Sequence, residues 1–164
     1  MTRGLLKKNL LVFVGAGLGG VARYAAGFLA GALVPGPFPW GTFAVNVTGC
    51  FAMGGLMYLF RDRGLLGPGH RLFLMVGLLG GYTTFSSFGY ESDALLRQGR
   101  MGLEIVYAAA SALFGLAAVR AGRAGVRGLE RLALSILRPG SAAAPKETSP
   151  DLPRPLSLEE EPSE

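Results

Sequence analysis

The chain has 164 residues, is 50% hydrophobic and only 16% charged, and carries a formal net charge of +5. A positive mean hydropathy, +0.39, and long stretches without charge exclude an ordinary water-soluble domain. One cysteine, Cys50, and one histidine, His70, exclude an internal disulfide and a cysteine metal cluster; no Ser-His-Asp set, carboxylate pair within the apolar segments or nucleotide loop is present, so neither an enzyme nor a nucleic-acid partner is expected.

Four apolar stretches run over about 9–34, 40–60, 72–88 and 103–119. Each is long enough for a spanning helix, which needs roughly 17–25 residues. The first has no Lys, Arg, Asp or Glu from Asn9 to Ala22. Read alone, with Lys7 and Lys8 before it, it resembles a secretory signal; the three apolar segments that follow favour a span. Arg23 sits well inside it, and an intramembrane arginine is a functional candidate by default. It can draw anions into a water-filled vestibule, snorkel to the interface, or pair with an acid such as Glu91.

The turn PGPFP, 35–39, leads to the second stretch, which contains GTFAVNVTGCFAMGG. Thr42, Asn46 and Gly49 share one helical face there. The Asn46 amide is costly in hydrocarbon unless bonded. It can donate to an anion or make an interhelical hydrogen bond worth about 0.6 kcal/mol; both readings stay open. After the connector RDRGLLGPGHR, the third stretch is interrupted by GGYTTFSSFGYE, 80–91. The Gly80-Gly81 pair predicts a helix break, whose freed carbonyls can hold a hard cation such as sodium. The competing reading is a tight helix crossing at the glycines.

Phe85 and Phe88 lie three apart on one helical face, among the hydroxyls of Thr83, Thr84, Ser86 and Ser87. They can be packing bulk. Equally, aromatic ring edges are electropositive, and with hydroxyl donors they can stabilise a small anion without binding it too tightly to release. In the fourth stretch Tyr107 and Ser111, four apart, add a polar stripe to an Ala-rich helix. Beyond Val119 the basic segment 120–138 has apolar residues at helical spacing. It reads as a helix along the membrane surface with arginines toward anionic lipid, or as a short soluble or frayed helix. From 139 to 164 lie six of the ten prolines and six acids against two bases, a composition expected to be disordered.

Four spans put both termini on one side. Near the membrane that side carries Arg3, Lys7, Lys8, Arg61, Arg63, Arg71, Arg120, Arg123, Arg127 and Arg131, against Arg97 and Arg100 on the other. The positive-inside rule then predicts cytoplasmic termini and a multi-pass protein of the plasma (inner) membrane. The expected fold class is an all-α membrane protein with four transmembrane helices, the third broken. The channel unit is expected over 1–119.

GLGGVARY (17–24), GTFAVNVTGCFAMG (41–54) and GGYTTFSSF (80–88) resemble the CrcB/Fluc fluoride channels in order, spacing and four-span layout, over about residues 8–119. The resemblance implies an antiparallel dimer with two fluoride pores and a central structural Na+. It implies that Phe85 and Phe88 are the pore phenylalanines and Asn46 the pore asparagine. Gly80 and Thr83 match the carbonyls that hold sodium. Tyr107 and Ser111 match a polar track in the last helix, and Arg23 the arginine of the first motif. Thr42 and Ser87 join the expected fluoride path; Ser87 stands where threonine is common in the family and keeps a hydroxyl. Fluoride holds water tightly, so several donors and ring edges must replace its shell at once, and a narrow pore of that kind rejects larger chloride. The implied function is passive fluoride export that protects against fluoride toxicity. The alternatives are a small four-helix multidrug exporter, which wants a membrane-centred carboxylate, and a noncatalytic membrane scaffold. The basic bias fits poorly with a chain that inserts both ways, so the partner is expected to be either a second copy or an oppositely oriented homologue.

Overall fold

The computed structural model describes residues 2–137, so the tail expected over 139–164 lies outside the described residues. All regular structure among those residues is helical. Helix α1 spans Thr2–Leu33 and α2 spans Trp40–Met57. The second helix continues through a wide π turn, Tyr58–Asp62, in which Arg63 N–H donates to the Tyr58 carbonyl at 3.1 Å. Helix α3 covers 68–82 in three joined pieces, with Pro68 at its first turn and a π stretch over Arg71–Leu79. Proline suits that place because the first N–H groups of a helix have no intrahelical partner anyway. Helix α4 is Phe85–Arg97 and α5 is Met101–Leu137. By length and composition there are four candidate membrane spans: Arg3–Leu33, Trp40–Asp62, Pro68–Arg97 and Met101–Leu137.

The helices pack as two close pairs, α1 with α3 and α2 with α5, joined by contact between α1 and α2. Glycine makes both pairs possible. A Cβ on Gly15 would stand 2.5 Å from the Phe73 carbonyl oxygen, and one on Gly77 would stand 2.9 Å from that of Val12. Gly19 and Gly81, one turn on, are equally closed off by the backbones of Leu78 and Ala16. In the other pair Gly54 lies against the Val119 carbonyl and Gly122 against that of Phe51. Lipid supplies no hydrophobic drive for helix association, so close backbone packing through small residues is a principal source of cohesion.

The sequence pattern placed the interruption of the third span at Gly80-Gly81; the extended residues are instead Thr83 and Thr84. Gly80–Tyr82 is helical, and Gly81 serves the crossing with α1. Thr83 has ψ 157° and Thr84 has φ −149° and ψ 121°, both extended. Thr84 caps α4, its hydroxyl accepting from Ser87 N–H at 3.1 Å, the usual service of a threonine at a helix start. Gly99, with φ +72°, turns the chain from α4 into α5, and Arg100 N–H closes that turn on the Leu95 carbonyl at 2.9 Å. This left-handed position favours glycine.

Helix α5 has 37 residues, about 55 Å at 1.5 Å per residue, far more than a hydrocarbon core of about 30 Å requires. The basic segment, through Leu137, is therefore the unbroken continuation of the fourth span. It is tied to the end of α2. Arg123 holds Asp62 through Nε at 3.0 Å and Nη2 at 2.7 Å. Glu130 takes Arg63 at 2.5 Å and the Tyr58 hydroxyl at 2.6 Å.

Candidate functional site

The interruption at Thr83-Thr84 is held by one side chain from α2. Asn46 Nδ2 donates to the Thr84 carbonyl at 2.9 Å, and Thr84 N–H donates to Asn46 Oδ1 at 2.8 Å. Buried backbone groups must be paired, and in apolar surroundings an unmade bond is expensive. Asn46 satisfies both backbone polar groups of Thr84, the residue at which the chain leaves the helix. This is the interhelical reading of Asn46, yet one amide proton is left over, and Asn46 also lines a groove.

Several carbonyls lose their helical donors where Thr83 and Thr84 turn extended. Thr84 N–H would bond Gly80, four residues back, but it is taken by Asn46. Ser87 N–H would bond Thr83, but it is taken by the Thr84 hydroxyl. The Gly80 and Thr83 oxygens thereby lose the amide donors that a continuous helix would give them. Gly80 is exposed and Thr83 half-buried. Gly49 makes room for the break, since a Cβ there would collide with the Thr83 methyl group.

The groove, about 360 Å³, is lined by Asn46, Thr83, Phe85, Phe88 and Ser111 among others, and its walls are mainly apolar. Phe85 and Phe88 stand 5.6 Å apart, centroid to centroid. Phe88 lies 5.0 Å from Tyr107, and Tyr107 meets Phe38 edge-on at 5.3 Å. The result is a row of rings along α4 and α5. At one end Tyr107 is fully buried; at the other Phe85 is 83% exposed, so the groove opens sideways from the single chain. The Ser111 hydroxyl is buried with no partner among the described residues, and Ser111 lines this groove.

Thr42 and Tyr107 are brought together, but by a carboxylate. Thr42 Oγ1 donates to Glu91 Oε1 at 2.7 Å, and the Tyr107 hydroxyl donates to Glu91 Oε2 at 2.8 Å. Glu91 thereby ties α2, α4 and α5 at the buried end of the ring row. From the sequence alone Glu91 stood out only as a candidate partner for Arg23. The signal was present: Phe85, Phe88 and Glu91 recur every three residues on one face.

Arg23 and Ser87 fall on a different surface. Together with Gly27, Gly41, Thr42 and Val45 they line a small recess of about 70 Å³ across the Thr84 backbone from the groove. Arg23 makes no ion pair with Glu91, whose two oxygens are engaged by the hydroxyls. Ser87 Oγ accepts from Thr84 Oγ1 at 3.1 Å, so its own proton remains to donate. Of the expected path residues, Asn46, Phe85, Phe88 and Ser111 share the groove, Thr42, Ser87 and Arg23 line the recess, and Tyr107 is tied to Thr42 through Glu91.

Fold and site together define a small multi-pass membrane protein in which an interrupted span lines a groove with aromatic rings and polar side chains. Residues 10–123 match the family model described as CrcB-like protein, Camphor Resistance (CrcB), and the chain belongs to that family. It is 45% identical over 122 residues to the fluoride-specific ion channel FluC of Rhodospirillum centenum, covering 74% of this chain and 97% of that one. It is 46% identical over 122 residues to the protein of the same description from Novosphingobium aromaticivorans, covering 72% and 94%. With that of Solibacter usitatus the identity is 46% over 112 residues, 68% of this chain and 92% of the relative.

Proposed function

We propose that the chain is a fluoride-selective channel that exports fluoride by passive conduction and so protects against its toxicity. One observation carries the reading. The rings of Phe85 and Phe88, the Asn46 amide and the Ser111 hydroxyl, which has no partner among the described residues, border one groove. Weak donors of this kind, arranged in series, replace the water of a small anion without trapping it. The Arg23 recess, with the Ser87 proton, serves as a vestibule that raises local anion concentration.

The channel unit is residues 1–119 acting as an antiparallel dimer in the plasma membrane. A second subunit closes the groove that is open at Phe85. The freed Gly80 and Thr83 carbonyls fit a hard cation, which takes oxygen ligands. These two residues from each subunit would hold a structural Na+, which would fix the interrupted spans against one another. The ten-to-two basic bias favours one orientation with cytoplasmic termini, and hence a partner of opposite orientation.

The test is efflux from liposomes holding the purified chain, followed with fluoride and chloride electrodes. Fast fluoride release with little chloride release, slowed about tenfold in Phe85→Leu and Phe88→Leu, is the expected result. Fluoride flux equal to that of empty liposomes, both alone and with an oppositely oriented homologue added, would sink the proposal and leave a membrane scaffold.

A further inference from the structure

We propose that the extension of α5 carries a binding site for the phosphate headgroup of an anionic phospholipid. No charged residue lies between Glu104 and Arg120, so Arg120 marks the edge of the hydrocarbon. From there Arg120, Arg123, Arg127 and Arg131 follow at spacings of three, four and four, which is one face of a helix. They surround a notch of about 480 Å³ whose floor is Ala124 and Gly128. Two small residues at that spacing leave room for a phosphate between the guanidinium groups.

The arginines are not alike. Arg123 is bound to Asp62. The other nearby carboxylate, Glu130, is occupied by Arg63 and the Tyr58 hydroxyl. Arg120, Arg127 and Arg131 are exposed and have no carboxylate among the described residues. Like charges one or two turns apart repel, and an anion in the notch relieves that repulsion. Guanidinium groups present planar forks that match phosphate oxygens, a geometry lysine lacks. The ties to Asp62 and Arg63 hold the helix straight off the end of α2, so the site exists before the ligand arrives. A basic pocket beside a membrane span takes an anionic lipid headgroup in preference to a soluble acid, because the lipid is already concentrated there. Most of the notch lies past residue 123, where the family match ends. The inference needs only that the chain spans a membrane, so its test does not depend on fluoride conduction.

The full chain, purified in neutral detergent and stripped of lipid, is offered phosphatidylglycerol and phosphatidylcholine in equal amounts. Retained lipid is counted by native mass spectrometry. Phosphatidylglycerol is expected to be retained in clear preference. The triple variant Arg120→Gln, Arg127→Gln, Arg131→Gln should weaken its binding roughly 100-fold, at about fivefold per arginine. The matching triple change to Lys should recover only part of this, and Arg100→Gln none of the loss. Unchanged thermal midpoints show that the variants fold. Equal retention of the two lipids, or an unaffected Gln variant, overturns the site. Displacement of lipid by equimolar inorganic phosphate reassigns it to a free anion. Lipid binding that emerges only after Glu159, Glu160 and Glu161 are changed to Gln assigns the notch to the chain's own acidic terminus.

Discussion

Asn46 and Ser111 border the same groove but stand in opposite positions energetically. Asn46 makes two bonds to the backbone of Thr84. Asn46→Ala leaves a donor and an acceptor unpaired, at a cost of roughly 2–4 kcal/mol. A fall in the thermal midpoint in detergent, accompanied by loss of fluoride flux, is the expected outcome. The Ser111 hydroxyl makes no bond among the described residues. Ser111→Ala should leave the midpoint unchanged or slightly higher while fluoride flux falls, and a variant with full flux would remove Ser111 from the path. For Phe85→Leu and Phe88→Leu, loss of one aromatic edge is expected to slow flux about tenfold or more, the scale of an aromatic contact expressed as a rate. Phe85 is so exposed in the single chain that its substitution should hardly alter stability.

Among the elements, the crossings of α1 with α3 and of α2 with α5 hold the bundle. Gly81→Ala or Gly122→Ala drives a methyl group into facing backbone, which cannot give way as a side chain can. Overpacking of this kind costs about 1–3 kcal/mol and sometimes more. Lower midpoints and a broadened elution profile should follow. Gly20→Ala meets nothing within 4 Å and is the matched control, expected to behave as wild type. These crossings also explain why the interruption falls three residues beyond the double glycine. Gly81 is committed to α1, so α3 stays helical through it, and the helix ends only where Thr84 finds other partners in Asn46 and its own capping hydroxyl.

For the whole molecule, the proposed orientation with cytoplasmic termini rests on charge. The side proposed to face the cytoplasm holds the basic clusters, including Arg120, Arg123, Arg127 and Arg131 along the end of α5. Tags at the two termini should report the cytoplasmic side in nearly every molecule. Equal labelling from both sides would remove the fixed orientation and favour a dimer of identical chains.

The class of molecule was legible from the sequence alone, because span length and uncharged runs answer directly to bilayer thickness. The aromatic and hydroxyl residues of the motif were also legible, since period and composition are local properties. The tertiary structure decided how those residues divide. Glu91 gathers Thr42 and Tyr107, Asn46 pins Thr84, and Ser87 turns with Arg23 toward a separate recess. Each of these depends on which residues of distant helices meet, and spacing along one helix says nothing about the rotation of its neighbour. The position of the interruption was settled in the same way. Glycine permits a break and a close crossing equally well, and only the presence of Ala16 opposite Gly81 chose the crossing.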